Sequence, residues 1–402
     1  MRLAGNDYNI RELAGAFGDL GTLIPFVGGY IAVNHMDPAG ILVGFGVLKL
    51  WAGLYFKTPV PIQPMKAIGT AAITHGGAIT HGAIFSSGLF TGLVWGFMGL
   101  SGAVSWIEKI TSRPVVKGIV LGLGLGFVLA GVRMMQGDLL LGVVAIVLTF
   151  VLLSFARIPA MLVLLAAGAA VALVREPTLL EGLARMSFHF RLPVSGIPQI
   201  AWSDLLTGIL VLGLPQLPLT LGNAIVATVE ENNSHFPDRP ITVKTVALDH
   251  AALNLVGTAL GGVPMCHGAG GMAGHIRFGA RTGGALVILG SILLFLGLFF
   301  ADSVALLFRL FPPALLGVIL SFGGLELATS AVGGSAAGDA LTKKEDRYVF
   351  LLTAGACLWN VGVGYLGGLV LWYAFRWKWL KACPRRRRAA RRGVRLDEER
   401  RS

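Results

Sequence analysis

The chain has 402 residues, 54% of them hydrophobic and only 13% charged, where a soluble domain carries about 25% charged residues. That composition excludes a soluble enzyme and a disordered chain, and Cys266, Cys357 and Cys383 are too far apart for a disulfide framework or a metal cluster. Of the net charge of +12, much sits at the C-terminus: twelve basic residues follow Leu371, Arg385 to Arg388 among them, which reads as a solvated cytoplasmic tail near anionic lipid and not as a nucleic-acid site.

Met1 to Glu12 is polar, with no removable leader evident. Beyond it fourteen apolar segments are predicted, at 12–33, 39–56, 64–74, 83–107, 115–132, 139–155, 158–174, 204–228, 244–260, 264–275, 283–301, 312–331, 347–361 and 363–376. A bilayer crossing takes about 20 residues, so the third and tenth, short and marked by glycine and proline, read as broken or re-entrant helices. The 56 glycines, including Gly122 to Gly126, suit close helix packing in lipid.

With the N-terminus inside, fourteen Lys and Arg fall in inner loops before the tail and five in outer loops, at Arg133, Arg175, Arg185, Arg191 and Arg309. Cytoplasmic loops carry that excess, so both termini are expected in the cytoplasm and the span count even, twelve being the nearest alternative. The connection from Arg175 to Ser203 divides the chain into halves with an odd number of spans each, which must be inverted relative to one another. The expected organisation is an all-α membrane transport domain at 1–376, made of repeats 12–175 and 203–376, followed by the basic tail 377–402.

Matched short motifs support the repeat. Asp19 and Pro64 are 45 residues apart, Gln216 and Pro264 are 48 apart, and a Pro-Met dipeptide (Pro64-Met65, Pro264-Met265) opens the third segment of each half. Proline at a helix's first position loses no hydrogen bond, so two half-helices are expected to point their positive ends at a shared gap, an anion site. Lys66 adds a cation that an anion or a carboxylate such as Asp19 must balance, while Lys49 reads as a snorkelling or packing residue. Thr22, Gln63, Gln216, Thr220, Asn223, Cys266 and His267 would add neutral groups for a desolvated oxyanion; His267 is equally open as donor, proton relay or structural histidine. Asp19, Asp249 and Glu326 are the carboxylates placed to couple transport to protons. Glu230 and Glu231 are expected at the cytoplasmic mouth, and His75 and His81 in solvent.

The segments F-G-D-L-G-T-L-I-P (Phe17 to Pro25), P-V-P-I-Q-P-M-K (Pro59 to Lys66) and L-P-Q-L-P-L-T-L-G-N (Leu214 to Asn223) resemble the signatures of the molybdate transporter family of plants, algae and bacteria, a divergent relative of the SulP sulfate transporters. The resemblance implies a seven-plus-seven inverted repeat, with the first, third, eighth and tenth spans in a core domain that moves against a gate domain. It implies molybdate uptake and an oxyanion site at Asp19 and Thr22, at Gln63, Pro64, Met65 and Lys66, at Gln216 and Asn223, and at the turn Pro264, Met265, Cys266, His267 and Gly268. After Phe375 about 27 residues remain, too few for the regulatory STAS domain of SulP proteins, and a homodimer would rest on the resemblance alone. The reading is therefore a multi-pass cell-membrane transporter, not an enzyme, without cofactor or metal, that imports molybdate by alternating access with protons as coupling ion. Sulfate is the nearest alternative substrate. A nucleobase is a more distant one, disfavoured by Gln216 and by the lack of Asp or Glu from Val263 to Ala280.

Overall fold

The computed structural model describes residues 1–75, 78–155, 159–332, 341 and 343–377; most of the basic tail, Cys383 and Arg157 lie outside them. The chain starts with a small antiparallel hairpin, β1 (Arg2–Leu3) and β2 (Asn6–Asp7). Asn9 then caps α1 (Ile10–Ala16) by accepting from the amides of Arg11 and Glu12, as short polar side chains do at helix starts. The first predicted segment breaks at Phe17 to Asp19 and resumes as α2 (Leu20–Ala32). Asp37 caps α3 (Pro38–Phe56), which opens on a proline. Next come β3 (Gln63–Pro64), α4 (Lys66–His75), α5 (His81–Leu100), α6 (Ala103–Ile110), α7 (Arg113–Met135), α8 (Leu139–Ser154), α9 (Ala160–Arg175) and α10 (Thr178–Ala184). The expected segment 83–107 divides at Gly102, whose φ of +76° ends one helix and turns the chain into the next.

The second half begins with α11 (Trp202–His235), a helical run of 34 residues. It carries wide π turns at Thr207–Gly213 and Thr220–Ala227 on either side of Pro215 and Pro218, the local adjustment that a proline inside a helix forces. It is followed by α12 (Val243–Ala259), β4 (Met265–Cys266), α13 (Ala269–Arg277), α14 (Gly284–Phe299), α15 (Val304–Phe308), α16 (Pro313–Val332), α17 (Lys344–Trp359) and α18 (Val361–Arg376). By length and composition, four helices among the described residues are long and apolar enough to cross a membrane, or six when each of two bent pairs is one span. The expected segments 115–132 and 139–155 appear as α7 and α8, joined by a short turn at Gln136–Asp138 where Asp138 leaves helical geometry and caps α8 through the Leu141 amide.

Neither proline of the matched Pro-Met dipeptides opens a helix, contrary to the expectation. Pro64 lies in β3, and Pro264 immediately precedes β4. The two strands pair antiparallel, with Gln63 opposite Cys266 and Pro64 opposite Met265, and the Met65 amide donates to the Pro264 carbonyl at 2.9 Å. An extended residue costs proline nothing, and the helices then start further on, at Lys66 and Ala269.

Helices pack in pairs: α3 on α14, α5 on α12, α7 on α16, and α17 on both α7 and α18. Glycines make the closest of these contacts. A Cβ on Gly124 would lie 2.7 Å from the Gly324 carbonyl oxygen, and one on Gly324 would lie 2.6 Å from the Gly124 oxygen, so α7 and α16 touch backbone to backbone. Gly124→Val should therefore lower stability by about 1–3 kcal/mol through overpacking, seen as a lower thermal midpoint in detergent. Gly126→Ala, where nothing lies within 4 Å, should leave the midpoint unchanged.

Candidate functional site

The β3–β4 ladder sets the centre of the site. Asn254 of α12 holds it, its Nδ2 donating to the Met265 carbonyl at 2.8 Å and its Oδ1 accepting from the Met265 amide at 3.0 Å. Met65, Met265 and Cys266 are buried there, with the Cys266 Sγ 3.9 Å from the Pro64 carbonyl. Helix α4 leaves the ladder at Lys66, and α13 leaves it after Gly268, which has no side chain to cap the first amides.

Around this point the structure gathers Gln63, Lys66, Gln216 and Asn223. The Gln216 Oε1 accepts from the amides of Ala67 (2.8 Å) and Ile68 (3.4 Å), while its Nε2 donates to the Thr220 hydroxyl at 3.0 Å. The first amides of α4 are thus already satisfied by a side chain. The Lys66 Nζ is buried with no hydrogen-bond partner among the described residues and sits 3.9 Å from the centre of the Phe127 ring. Cation–π attraction compensates only part of the cost of burying an ammonium. Both side-chain polar atoms of Gln63 and the Asn223 Oδ1 are likewise buried without partners, uncommon for a native interior.

Glycines on α13 make the room. A Cβ on Gly268 would lie 2.6 Å from the Gln63 Oε1, one on Gly271 would strike the Gln63 Nε2, and one on Gly270 would enter the Phe127 ring. The cluster therefore combines a cation, an aromatic face, two amide side chains and a helix start. That set suits an anion, because it brings donors together and no carboxylate among the described residues pairs with Lys66.

Asp19 does not balance Lys66. Its Oδ2 is 3.0 Å from the Lys49 Nζ and 3.6 Å from the His275 Nε2, and all three side chains are fully buried. Lys49 is thus an ion-pair partner and not a snorkelling residue. The reason is tertiary: the break between α1 and α2 faces α3 and α13, which sequence spacing cannot reveal. Thr22 is buried in the first turn of α2, its amide bonded to the Asp19 carbonyl at 2.9 Å.

His267 and Asp249 form a third group. The His267 Nε2 is 2.8 Å from the Asp249 Oδ2 and its Nδ1 is 2.8 Å from the Pro61 carbonyl. Both ring nitrogens thus face oxygen atoms, which fixes the orientation of the ring. Trp51 donates to the other Asp249 oxygen at 3.0 Å, and the His267 amide reaches the His250 Nε2 at 3.3 Å. Glu326 is half-buried, 3.5 Å from the Arg277 Nη1. Phe127, Asn254 and His275 were not singled out in the sequence; Phe127 directly follows Gly122 to Gly126, where its apolar neighbours disguise it as a packing residue.

A helical protein with membrane-length apolar spans, broken helices meeting at a central ladder and an unpaired buried cation between them is a multi-pass membrane anion transporter. Its fold is similar to the transmembrane domain of a cyanobacterium bicarbonate transporter, BicA, with a TM-score of 0.50 at 15% identity over 92% of this chain and 99% of that one. It is also similar to the murine anion transporter Slc26a9 in the inward-facing state, with a TM-score of 0.57 at 12% identity over 94% and 69%. In sequence, the family described as "Molybdate transporter of MFS superfamily" matches residues 11–127 and 208–327. Molybdate transporter 2 of Arabidopsis thaliana is 30% identical, over 90% of this chain and 86% of its own length. Molybdate transporter 1 of Chlamydomonas reinhardtii is 28% identical, over 89% and 90%. The chain belongs to the molybdate transporter family, whose members are transporters and not enzymes.

Burying Asp19 with Lys49 makes each charge dependent on the other. Asp19→Asn alone should destabilise the protein by about 3–5 kcal/mol, as breaking a buried pair does, whereas Asp19→Asn with Lys49→Met should recover most of that loss. Thermal midpoints of the unaltered chain and of both variants in detergent measure the recovery.

Proposed function

We propose that this protein imports molybdate, a tetrahedral dianion, and that the anion binds between the β3–β4 ladder, Lys66 and the start of α13. The observation that carries the reading is the Lys66 ammonium, buried and unpartnered among Gln63, Asn223 and the Phe127 ring. A dianion there would satisfy the ammonium directly, and the Gln63 and Asn223 amide groups would supply neutral donors that do not trap it by excess charge. Gln216 serves the site by holding the α4 amides and its hydrogen bond to Thr220, leaving the uncapped end of α13 as the helix start that faces the anion. Pro64, Met65, Met265 and Cys266 shape the ladder, Gly268 leaves space beside Gln63, and His267 positions the strand through Pro61 and Asp249. The relatives' names support molybdate as the cargo.

Transport is by alternating access in an inverted repeat, with both termini in the cytoplasm and the protein in the cell membrane. The pairing of α3 with α14 and of α5 with α12 supports this organisation, since exchanging the two halves exchanges those pairs. A dianion entering against a negative-inside potential costs about 2.3 kcal/mol per charge per 100 mV, so two protons per molybdate would make the step electroneutral. Asp19 is the first coupling site we assign, because it already shares its carboxylate with Lys49 and His275; Asp249 and Glu326 follow.

Calorimetry on purified protein with molybdate, sulfate and uracil tests the site. Molybdate should bind in preference, and Lys66→Ala should weaken it at least tenfold, in line with the worth of a charge-assisted bond, about 1.5–3 kcal/mol. Preferred sulfate would move the substrate within the oxyanions, and uracil binding or an unaffected variant would refute the site. Coupling is tested separately in proteoliposomes: an inward proton gradient should drive accumulation of molybdate, and gradient-independent uptake would refute proton symport.

A further inference from the structure

Away from the ladder, a cavity of about 500 Å³ opens where α1 meets the end of α8, the start of α9 and the turn between α13 and α14. Three arginines line it, Arg11 from α1, Arg277 from the end of α13 and Arg281 from the turn, and no carboxylate is among the described lining residues. The opposite wall is apolar, with Leu152, Leu153 and Phe155.

Arg277 and Arg281 are held by a built framework. Glu12, buried on α1, accepts from the amides of Arg281 (2.9 Å), Thr282 (3.0 Å) and Ala285 (3.1 Å), which clamps the turn onto α1. Gly279 permits the approach: its φ is +117°, and a Cβ there would lie 3.2 Å from the Arg11 carbonyl oxygen. The Arg281 Nη1 donates to the carbonyls of Ile276 and Ala280, both at 3.0 Å, and Arg277 leans on Glu326 at 3.5 Å. A guanidinium has five donors, so these contacts fix the Arg277 and Arg281 side chains and leave further N–H groups on both for a ligand.

We propose that this cavity binds the phosphate of an anionic phospholipid, with the acyl chains lying along α8. The charge and the fork geometry of the arginines select a phosphate. The apolar wall selects a lipid over a free ion, because it continues into an exposed apolar face of α8 that includes Val147, Phe150 and Val151. Arg11, Arg277 and Arg281 also belong to the loops whose basic excess marks the cytoplasmic side, the leaflet where anionic lipid attracts basic groups. A lipid seated there would bridge α13, which carries the site's glycines at its other end, to α8 and α9. The proposal does not depend on the identity of the transported anion.

Native mass spectrometry of the full chain in neutral detergent tests it, with phosphatidylglycerol and phosphatidylcholine of matched acyl chains and with inorganic phosphate as competitor. Phosphatidylglycerol should bind in preference, Arg11→Gln and Arg277→Gln should each weaken it about fivefold, the value of one basic residue near an anionic surface, and millimolar phosphate should not displace it. Equal binding of phosphatidylcholine, or variants that bind as the unaltered chain does, would overturn the proposal; displacement by inorganic phosphate would reassign the cavity to a soluble anion. Should Arg277→Gln fail to fold, Arg11→Gln, which leaves the Glu12 clamp intact, and the headgroup comparison on the unaltered chain still decide.

Discussion

The structure depends on a two-residue ladder. In a membrane interior every backbone amide and carbonyl needs a partner inside the protein, so a helix can begin there only if the chain leading to it is satisfied some other way. β3 and β4 provide this for each other, with Asn254 bonding both the amide and the carbonyl of Met265. Because the backbone needs of the two segments are met, α4 and α13 can start beside one another at Lys66 and Ala269. Gln63, Lys66 and the glycines of α13 hold their places as a consequence of that pairing.

Among the described residues, several buried charges are met by an opposite charge or, as at Glu12, by backbone amides. Asp19, Lys49 and His275 form one closed group, and His267 and Asp249 form another. Such groups tie elements distant in sequence: the first joins the break before α2 to α3 and α13, and the second joins α12 to the turn after β4. Lys66 is different in kind, since it lies against an aromatic face and has no ion-pair partner among the described residues. The proposed anion site rests on that difference.

Close backbone contact explains why so much of the chain is glycine. Along α7 and α16 and on α13, every missing Cβ but that of Gly126 corresponds to an atom of a neighbouring element or of a residue at the proposed site. Packing and function use the same property, since Gly124 brings two helices together while Gly268 makes room for Gln63.

The sequence by itself determined the membrane class, because composition and apolar length set the solvent of the fold, and it determined the family, because three short motifs are specific. Gln63, Lys66, Gln216 and Asn223 stood out as polar residues where apolar ones were expected, and the proposed anion site is built on them. Tertiary structure decided the rest. It placed Pro64 and Pro264 beside strands instead of at helix starts, since the strands gain pairing from a partner about two hundred residues away. It gave Asp19 to Lys49 and left Lys66 to Phe127, since which lysine a carboxylate meets depends on how helices cross and not on spacing along the chain. It spent Gln216 on the α4 amides, a hydrogen bond across 149 residues that no local pattern encodes. Periodicity and composition report the environment of a residue; the partner inside that environment is set only when the helices pack.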